Sequence, residues 1–221
     1  MNSGLTIFDF LQIINNKIIK LNALQNDQFN LFYSLLVDWN SKINLISRNE
    51  KNIIDRHFLN SACLARFVKF RAQDRILDIG SGGGFPAIIL KILFPESSFV
   101  LIESIRKKSD FLKHTIKELD LKRIEVINDR AEKISAKKIF HCSFDYVTAR
   151  AVSQLNDLVA LSQPFLKKDG RMLFLKGKSY MNEIAAASFS SDRTQVIQLN
   201  SVSENQDGVL LVISTAQEFI T

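Results

Sequence analysis

Residues 75–86 read RILDIGSGGGFP, and this stretch decides the fold. Its first five residues are mostly apolar, which is typical of a strand buried on both faces, and Gly80 ends that run. Four of the eight glycines fall within residues 80–84, and a helical apolar pattern follows over 86–94. Glycine permits close approach of the backbone to a ligand, and a helix start offers unpaired N–H groups. The stretch therefore predicts a strand, a ligand-binding loop and a helix in succession.

The apolar patterns downstream alternate between strand and helix. Strands are predicted at 98–103, 124–128, 144–149 and 171–176, and helices at 106–119, 131–134, 156–166 and 181–189. Two further strands, 195–199 and 209–214, are too close for a crossover helix, and Asp207-Gly208 is a turn signal, so we expect an antiparallel edge hairpin. This is the layout of class I methyltransferases, an α/β Rossmann-like fold. We expect a mostly parallel seven-stranded sheet with helices on both faces.

The first third of the chain has helical periodicity. Apolar residues recur at steps of three or four over 5–21, and a second helix carrying Trp39 is predicted to start at an Asn26 cap. A third helical stretch covers about 51–68. We therefore predict an N-terminal helical extension, 1–70, packed on a methyltransferase domain, 71–221.

Composition narrows the function classes. The chain has 221 residues, 46% of them hydrophobic and 24% charged, as in a globular protein, and no apolar run reaches the ~18 residues of a membrane span. Two cysteines form no disulfide framework, and the N-terminus lacks the basic start of a signal peptide. We expect a cytoplasmic protein without a membrane partner.

The positive charge is concentrated in the middle of the chain. Residues 51–178 contain 24 basic and 14 acidic residues, a net charge of +10, and the overall pI is about 9.3. Such a block suits a polyanionic partner such as nucleic acid, although a lysine-rich solvated surface has the same composition.

The glycine loop fits some ligand classes better than others. A triphosphate-binding loop is excluded, because Met172 stands where the first glycine before Gly177-Lys178-Ser179 would be required. A dinucleotide fingerprint survives only with Ala87 as its third small residue. The S-adenosylmethionine pattern, acidic-x-Gly-x-Gly-x-Gly, matches every position from Asp78 to Gly84. A structural turn without a ligand also stays open.

Glu103 supports a nucleoside ligand but does not distinguish S-adenosylmethionine from a nicotinamide dinucleotide. Glu103 ends the second predicted strand, 21 residues after Gly82, where it can accept hydrogen bonds from both ribose hydroxyls. Nicotinamide-dependent enzymes use a carboxylate in the same way. Glu103 is therefore a predicted cofactor ligand for either class, and Gly82 is predicted to leave space for that cofactor.

At this point the chain resembles a known family, the bacterial small-subunit (16S) ribosomal RNA guanine-N7 methyltransferases, also called glucose-inhibited division protein B. The shared motifs, in order, are Trp39-Asn40, Asn44-Leu45, Arg56-His57 with Ser61, residues 78–86, Glu103-Ser104, Lys107-Lys108 with Phe111-Leu112, Arg130-Ala131-Glu132, Arg150-Ala151-Val152 and Lys176-Gly177. The chain departs from the family at Ala87, usually Gly, and at Asn60, usually Asp.

The resemblance implies a function and a site. It implies S-adenosylmethionine as cofactor and nitrogen 7 of one guanine in small-subunit ribosomal RNA as the methyl acceptor. By matching position, Gly80 and Phe85 line the cofactor pocket, Ala131 and Glu132 hold the adenine region, and Arg150 closes the site. We expect Arg150 just past the fourth strand, where open parallel sheets bind ligands.

Nitrogen 7 of guanine carries a free lone pair, so its methylation needs placement rather than a strong base. We therefore assign Arg150, Lys176 and His57 positioning roles on phosphate or the guanine carbonyl. No metal is expected, because His141-Cys142 has no accompanying ligand cluster.

We expect a monomer whose partner is small-subunit ribosomal RNA, free or within an assembled particle. Three alternatives remain: a nicotinamide-dependent dehydrogenase, a non-catalytic RNA-binding module, and a methyltransferase of a small molecule or another RNA.

Overall fold

The computed structural model describes residues 4–47, 52–138, 140–150, 153–177, 179–187, 193–199 and 208–215. Within these ranges, seven strands form one sheet in the order β3-β2-β1-β4-β5-β7-β6. They are β1 (Arg75–Ile79), β2 (Ser98–Ile102), β3 (Ile124–Ile127), β4 (Phe144–Arg150), β5 (Leu166–Lys176), β6 (Thr194–Gln198) and β7 (Val209–Ser214).

The first five strands are parallel, and β7 lies antiparallel between β5 and β6. This confirms the predicted parallel sheet with a terminal hairpin. The strand β1 lies between β2 and β4, and its apolar residues are buried on both faces of the sheet, since Ile76 belongs to one core cluster and Leu77 and Ile79 to the other. The carboxyl ends of β1 to β5 therefore meet at one edge of the sheet, and the glycine loop leaves β1 at that edge.

The helices connect the strands and cover both faces of the sheet. They are α1 (Ile7–Lys17), α2 (Ala23–Lys42), α3 (Asn60–Ala62), α4 (Leu64–Phe67), α5 (Ala87–Leu93), α6 (Arg106–Glu118), α7 (Ala131–Ala136), α8 (Leu155–Ser162) and α9 (Tyr180–Ala185). A π-helix, Ile54–Leu59, precedes α3, and a 3-10 turn, Gln163–Phe165, follows α8. One buried cluster contains residues of α5 and α6, and a second cluster contains residues of α7 and α8.

The predicted cap of the second helix is wrong by one turn. Asn22, not Asn26, caps α2: its side chain accepts from the Gln25 backbone N–H at 2.8 Å, and the Gln25 side chain accepts from the Asn22 N–H at 3.0 Å. The Asn26 side chain instead donates to the Asn22 carbonyl. The third helical stretch is also not one α-helix, because it begins as the π-helix and continues as the short α3 and α4.

Aromatic rings join the N-terminal helices to the sheet. Phe10 of α1 contacts Phe29 of α2, with ring centroids 5.1 Å apart, and Phe58 of the π-helix at 5.5 Å. Phe58 and Phe32 both contact Phe85, which follows the glycine loop, at 5.4 and 5.5 Å. The core is therefore continuous across residue 70, and a domain boundary at that point stays a prediction.

Three other predicted boundaries shift. Arg150 does not follow β4 but is its last residue, paired in register with Leu175 of β5. The fifth strand begins at Leu166 rather than 171, and the preceding helix ends at Ser162, where the 3-10 turn begins. Of the predicted Asp207-Gly208 turn, Asp207 lies outside the described residues.

Candidate active site and cofactor cleft

The glycine loop is a series of backbone turns at the carboxyl end of β1. Gly80, Gly82 and Gly84 have φ of 69°, 53° and 87°, the left-handed region that favours glycine. The N–H groups of Gly80 and Ser81 donate to the Ile102 carbonyl at 2.9 and 3.2 Å. These bonds hold the loop against the end of β2, so its position depends on the pairing of β1 with β2.

The glycines of the loop meet different surroundings. A Cβ atom on Gly84 would lie 2.7 Å from Ile88 Cγ1, so the residue is required for packing against α5. Among the described residues, a Cβ atom on Gly82 would meet only the Gly80 carbonyl oxygen, at 3.7 Å. The face of Gly82 is therefore open, and a ligand can approach the backbone there.

Glu103 follows β2 and is 5% exposed. Its Oε2 accepts from the Gly82 N–H at 2.8 Å, and its Oε1 accepts from the Ile105 N–H at 2.7 Å. The carboxylate thus orders the glycine loop and the start of α6. A carboxylate has about four acceptor sites, so two remain for ribose hydroxyls. Ribose binding by Glu103 stays a prediction.

A cleft of about 260 Å³ opens beside the glycine loop. Its lining is Ile79, Gly80, Ile102, Ser104, Asp129, Arg130, Ala131, Glu132 and Leu161. Of the predicted cofactor residues, Gly80, Ala131 and Glu132 meet here. Ser104 and Asp129 were not among the predicted site residues, although each lies two residues past the carboxyl end of a strand, a position that was a usable signal.

The Asp78 carboxyl is fully buried beneath the glycine loop. Its Oδ1 accepts from the Thr148 hydroxyl of β4 at 2.6 Å, and its Oδ2 has no partner within the described part of the chain. Burial is the main cause that raises the pKa of Asp78 to about 7; the Glu103 charge acts in the same direction, and the nearby Ser81 and Thr148 hydroxyls act in the opposite one.

His57, Phe85 and Arg150 come together above the edge of the sheet. The His57 and Phe85 rings lie 5.1 Å apart, and the Arg150 guanidinium carbon lies 5.9 Å from the Phe85 ring centre. Burial lowers the pKa of His57 to about 3, with further lowering by the positive charges of Arg150 and Arg56. His57 is therefore neutral at physiological pH.

Lys176, the third predicted positioning residue, lies in an ion pair. It is the last residue of β5, and its side chain is 6% exposed. Its Nζ donates to Glu183 Oε2 at 2.7 Å and to the Ser153 carbonyl at 2.9 Å. Glu183 was not among the predicted site residues, because nothing near it in the chain indicates that it pairs with Lys176.

The two departures from the resembled family occupy different environments. Ala87 is fully buried at the first position of α5. Asn60 begins α3, and its buried Oδ1 has no hydrogen-bond partner among the residues described.

The described residues contain neither a metal-binding cluster nor a membrane-spanning helix. Over the described ranges, no three His, Cys, Asp or Glu side chains are grouped as a metal site would need. None of the helices in that part of the chain is long and apolar enough to cross a membrane.

The strand order, the glycine loop after β1 and the carboxylate after β2 define a class I methyltransferase. Comparison with known proteins agrees. The family model described as rRNA small subunit methyltransferase G matches residues 25–210. A Ribosomal RNA small subunit methyltransferase G from Lactococcus lactis subsp. cremoris (strain MG1363) is 39% identical over 181 residues, which cover 81% of this chain and 76% of the relative. The chain belongs to the rRNA small subunit methyltransferase G family.

Solved structures show the same fold at low identity. A SAM-dependent methyltransferase from Aquifex aeolicus has a TM-score of 0.57 at 12% identity and covers 76% of this chain and 95% of its own. The cofactor-bound protein Rv0187 from MTB has a TM-score of 0.61 at 15% identity, over 96% of this chain and 98% of its own.

These findings confirm the predicted family, the fold class, the cofactor S-adenosylmethionine and methylation of small-subunit ribosomal RNA as the function. They favour S-adenosylmethionine over the nicotinamide alternative. The individual site residues stay predictions.

Proposed function

We propose that the protein transfers a methyl group from S-adenosylmethionine to nitrogen 7 of one guanosine in small-subunit (16S) ribosomal RNA. The observation that carries the proposal is the family match over 25–210. Around it, the +10 charge of residues 51–178 supports an RNA substrate, and the cluster of His57, Phe85 and Arg150 supports a base-binding site beside the cofactor loop.

The residues at the edge of the sheet fit the cofactor. The cleft of about 260 Å³ is close to the roughly 300 Å³ lower limit of small-molecule sites. The open face of Gly82 leaves room for a ligand against the backbone. We assign cofactor binding to Gly80, Gly82, Phe85, Glu103, Ala131, Glu132 and Arg150. When bound, S-adenosylmethionine supplies an electrophilic methyl group on its sulfonium.

The site's electrostatics suit attack by an atom that carries no proton. Nitrogen 7 needs no general base, and His57 is a poor one, because its pKa of about 3 leaves it little basicity. We assign His57 and Arg150 to positioning of the guanine and its phosphate, and Lys176 to positioning of the residues beside Arg150, since its ammonium is held by Glu183 and the Ser153 carbonyl. Arg150 is central, because its planar fork can fix the guanine oxygen while leaving nitrogen 7 accessible.

The substitution Arg150→Lys tests this assignment. Lysine keeps the charge, so attraction to RNA should persist, but the lost fork should lower kcat by ~10² or more. The assay is methyl incorporation into small ribosomal subunits that lack the modification, with the site mapped by mass spectrometry of RNA fragments. Arg123→Lys is the matched control, since Arg123 lies near Glu96, away from the cleft, and its replacement should leave kcat unchanged.

One result would contradict the assignment of Arg150, and another would contradict the proposed substrate. Methylation by Arg150→Lys at nearly the wild-type rate would remove Arg150 from the site. A methyl group mapped to another atom or to another RNA would instead show that the enzyme methylates a different substrate.

The remaining expectations follow from the substrate. We expect the protein to act in the cytoplasm as a monomer, on small-subunit RNA that is free or within an assembled particle. We also retain residues 1–70 as a helical extension of the domain 71–221.

A further inference from the structure

The Lys176 ammonium is the most enclosed cation at the carboxyl edge of the described sheet. Its side chain is 6% exposed and its Nζ is held by Glu183 and by the Ser153 carbonyl. A phosphate of the substrate would have to displace Glu183 to reach it. Because a buried charge is stable only when it is paired, Lys176 depends on the Glu183 carboxylate.

The two hydrogen bonds connect three parts of the chain beside the reactive centre. Lys176 ends β5, and Ser153 lies three residues beyond Arg150, the last residue of β4. Glu183 belongs to α9, and the Asn156 side chain donates to the Ala186 carbonyl just after that helix at 3.0 Å. The Lys176 ammonium therefore joins the end of β5 to Ser153, which precedes α8, and to α9, a helix tethered to α8.

We propose that Glu183 is a positioning residue for methyl transfer. Through the Lys176 ammonium, it fixes the Ser153 carbonyl, three residues after Arg150, and so keeps the guanidinium over the Phe85 ring. The inference rests on the proposed function, since it requires that Arg150 orient the guanine.

The negative charge of Glu183 is the property that holds the Lys176 ammonium in place. Without that charge, the ammonium retains only neutral acceptors and an uncompensated charge, so it turns toward water and releases Ser153. The Glu183 carboxylate is held loosely otherwise: its Oε1 lies 3.4 Å from the Ser179 hydroxyl, and its side chain is 22% exposed. Glutamine has nearly the same shape and removes only the charge.

An inhibitory role for Glu183 would predict a different effect of its neutralisation on RNA binding. If Glu183 were an anion that blocks Lys176 from RNA, its neutralisation would free the cation and strengthen RNA binding. If it positions Arg150, neutralisation lowers the rate of the chemical step and leaves binding unchanged.

The first experiment measures kcat, the KM for unmethylated small ribosomal subunits, and the S-adenosylmethionine Kd of Glu183→Gln. We expect kcat to fall about tenfold or more, with KM and Kd within about twofold of wild type, because misplacement of a catalytic group acts on kcat. Glu183→Asp keeps the charge and should have a higher kcat than Glu183→Gln.

Asp145→Asn is the matched control. Asp145 pairs with Lys167 at 2.8 Å at the opposite end of β4 and β5, and its side chain is 21% exposed, close to that of Glu183. Asp145 lies five residues before Arg150 along β4, about 17 Å at about 3.3 Å per residue. The control should leave kcat unchanged.

The second experiment repeats Glu183→Gln in an Arg150→Lys background. If Glu183 acts through Arg150, its neutralisation there costs less than about twofold, since coupled residues are non-additive. An unchanged kcat for Glu183→Gln, a lowered KM, a Glu183→Asp rate below that of Glu183→Gln, or a full penalty in the Arg150→Lys background would each overturn the inference. Wild-type enzyme that does not methylate guanine nitrogen 7 would instead overturn the proposed function.

Discussion

The buried Asp78 carboxyl predicts a pH dependence of stability that one substitution should remove. Burial raises the pKa of Asp78 to about 7 in the folded protein, against an ordinary value of 3.8. Folding therefore favours the protonated form. The stability that this provides is fully present below pH 3.8 and is lost as the pH rises through about 7.

The magnitude follows from these two values. The full difference corresponds to about 4 kcal/mol, and about 2 kcal/mol of it falls between pH 5.5 and pH 8. Asp78→Asn cannot ionise, and asparagine keeps an oxygen for the Thr148 hydroxyl. The free energy of unfolding of the variant should thus rise relative to wild type by about 2 kcal/mol between these pH values.

Urea unfolding of both proteins at pH 5.5 and pH 8 measures this difference. The comparison cancels other titrating groups, which is necessary because His57 acts in the opposite direction. The pKa of His57 is lowered from 6.5 to about 3, so its contribution is present above pH 6.5 and is lost as the pH falls toward 3. A wild-type-to-variant difference that is the same at both pH values would refute the argument from burial.

Two further predictions follow from the loop and its neighbours. Gly84→Ala should destabilise the fold by about 2–4 kcal/mol in urea unfolding, because φ is 87° and the new Cβ would lie 2.7 Å from Ile88 Cγ1. Gly82→Ala should lower the free energy of unfolding by only about 1–2 kcal/mol, yet it should weaken S-adenosylmethionine binding measured by calorimetry. Equal losses of unfolding free energy in the two variants would contradict this contrast. His57→Gln should leave the shape of the pH–rate profile between pH 5.5 and 8.5 unchanged, because His57 is neutral throughout; loss of an ionisation near pH 6.5 would show that it titrates.

The local sequence pattern was sufficient to predict the structure at positions where residues close together in the chain determine the backbone conformation. The apolar run of β1 ends at a glycine, and the left-handed turns at Gly80, Gly82 and Gly84 are conformations that glycine favours. The closely spaced strands β6 and β7 form the expected antiparallel hairpin for the same reason. Helix caps were less predictable, since Asn22 and Asn26 have equal capping ability. The Gln25 side chain donates to the Ile92 carbonyl of α5 at 2.8 Å, and this distant contact favours the cap at Asn22.

By itself, the sequence determined the order of strands and helices, the cofactor loop and the family, because periodicity, glycine placement and motifs are local properties. Only the tertiary structure decided which polar groups meet. The pairing of β4 with β5 places Arg150 next to Leu175, and the packing of the π-helix sets His57 on the ring of Phe85. Lys176 is paired with the Glu183 carboxylate, and burial raises the pKa of Asp78. Both effects depend on segments that are separate in the chain, because charge pairing and desolvation act through space.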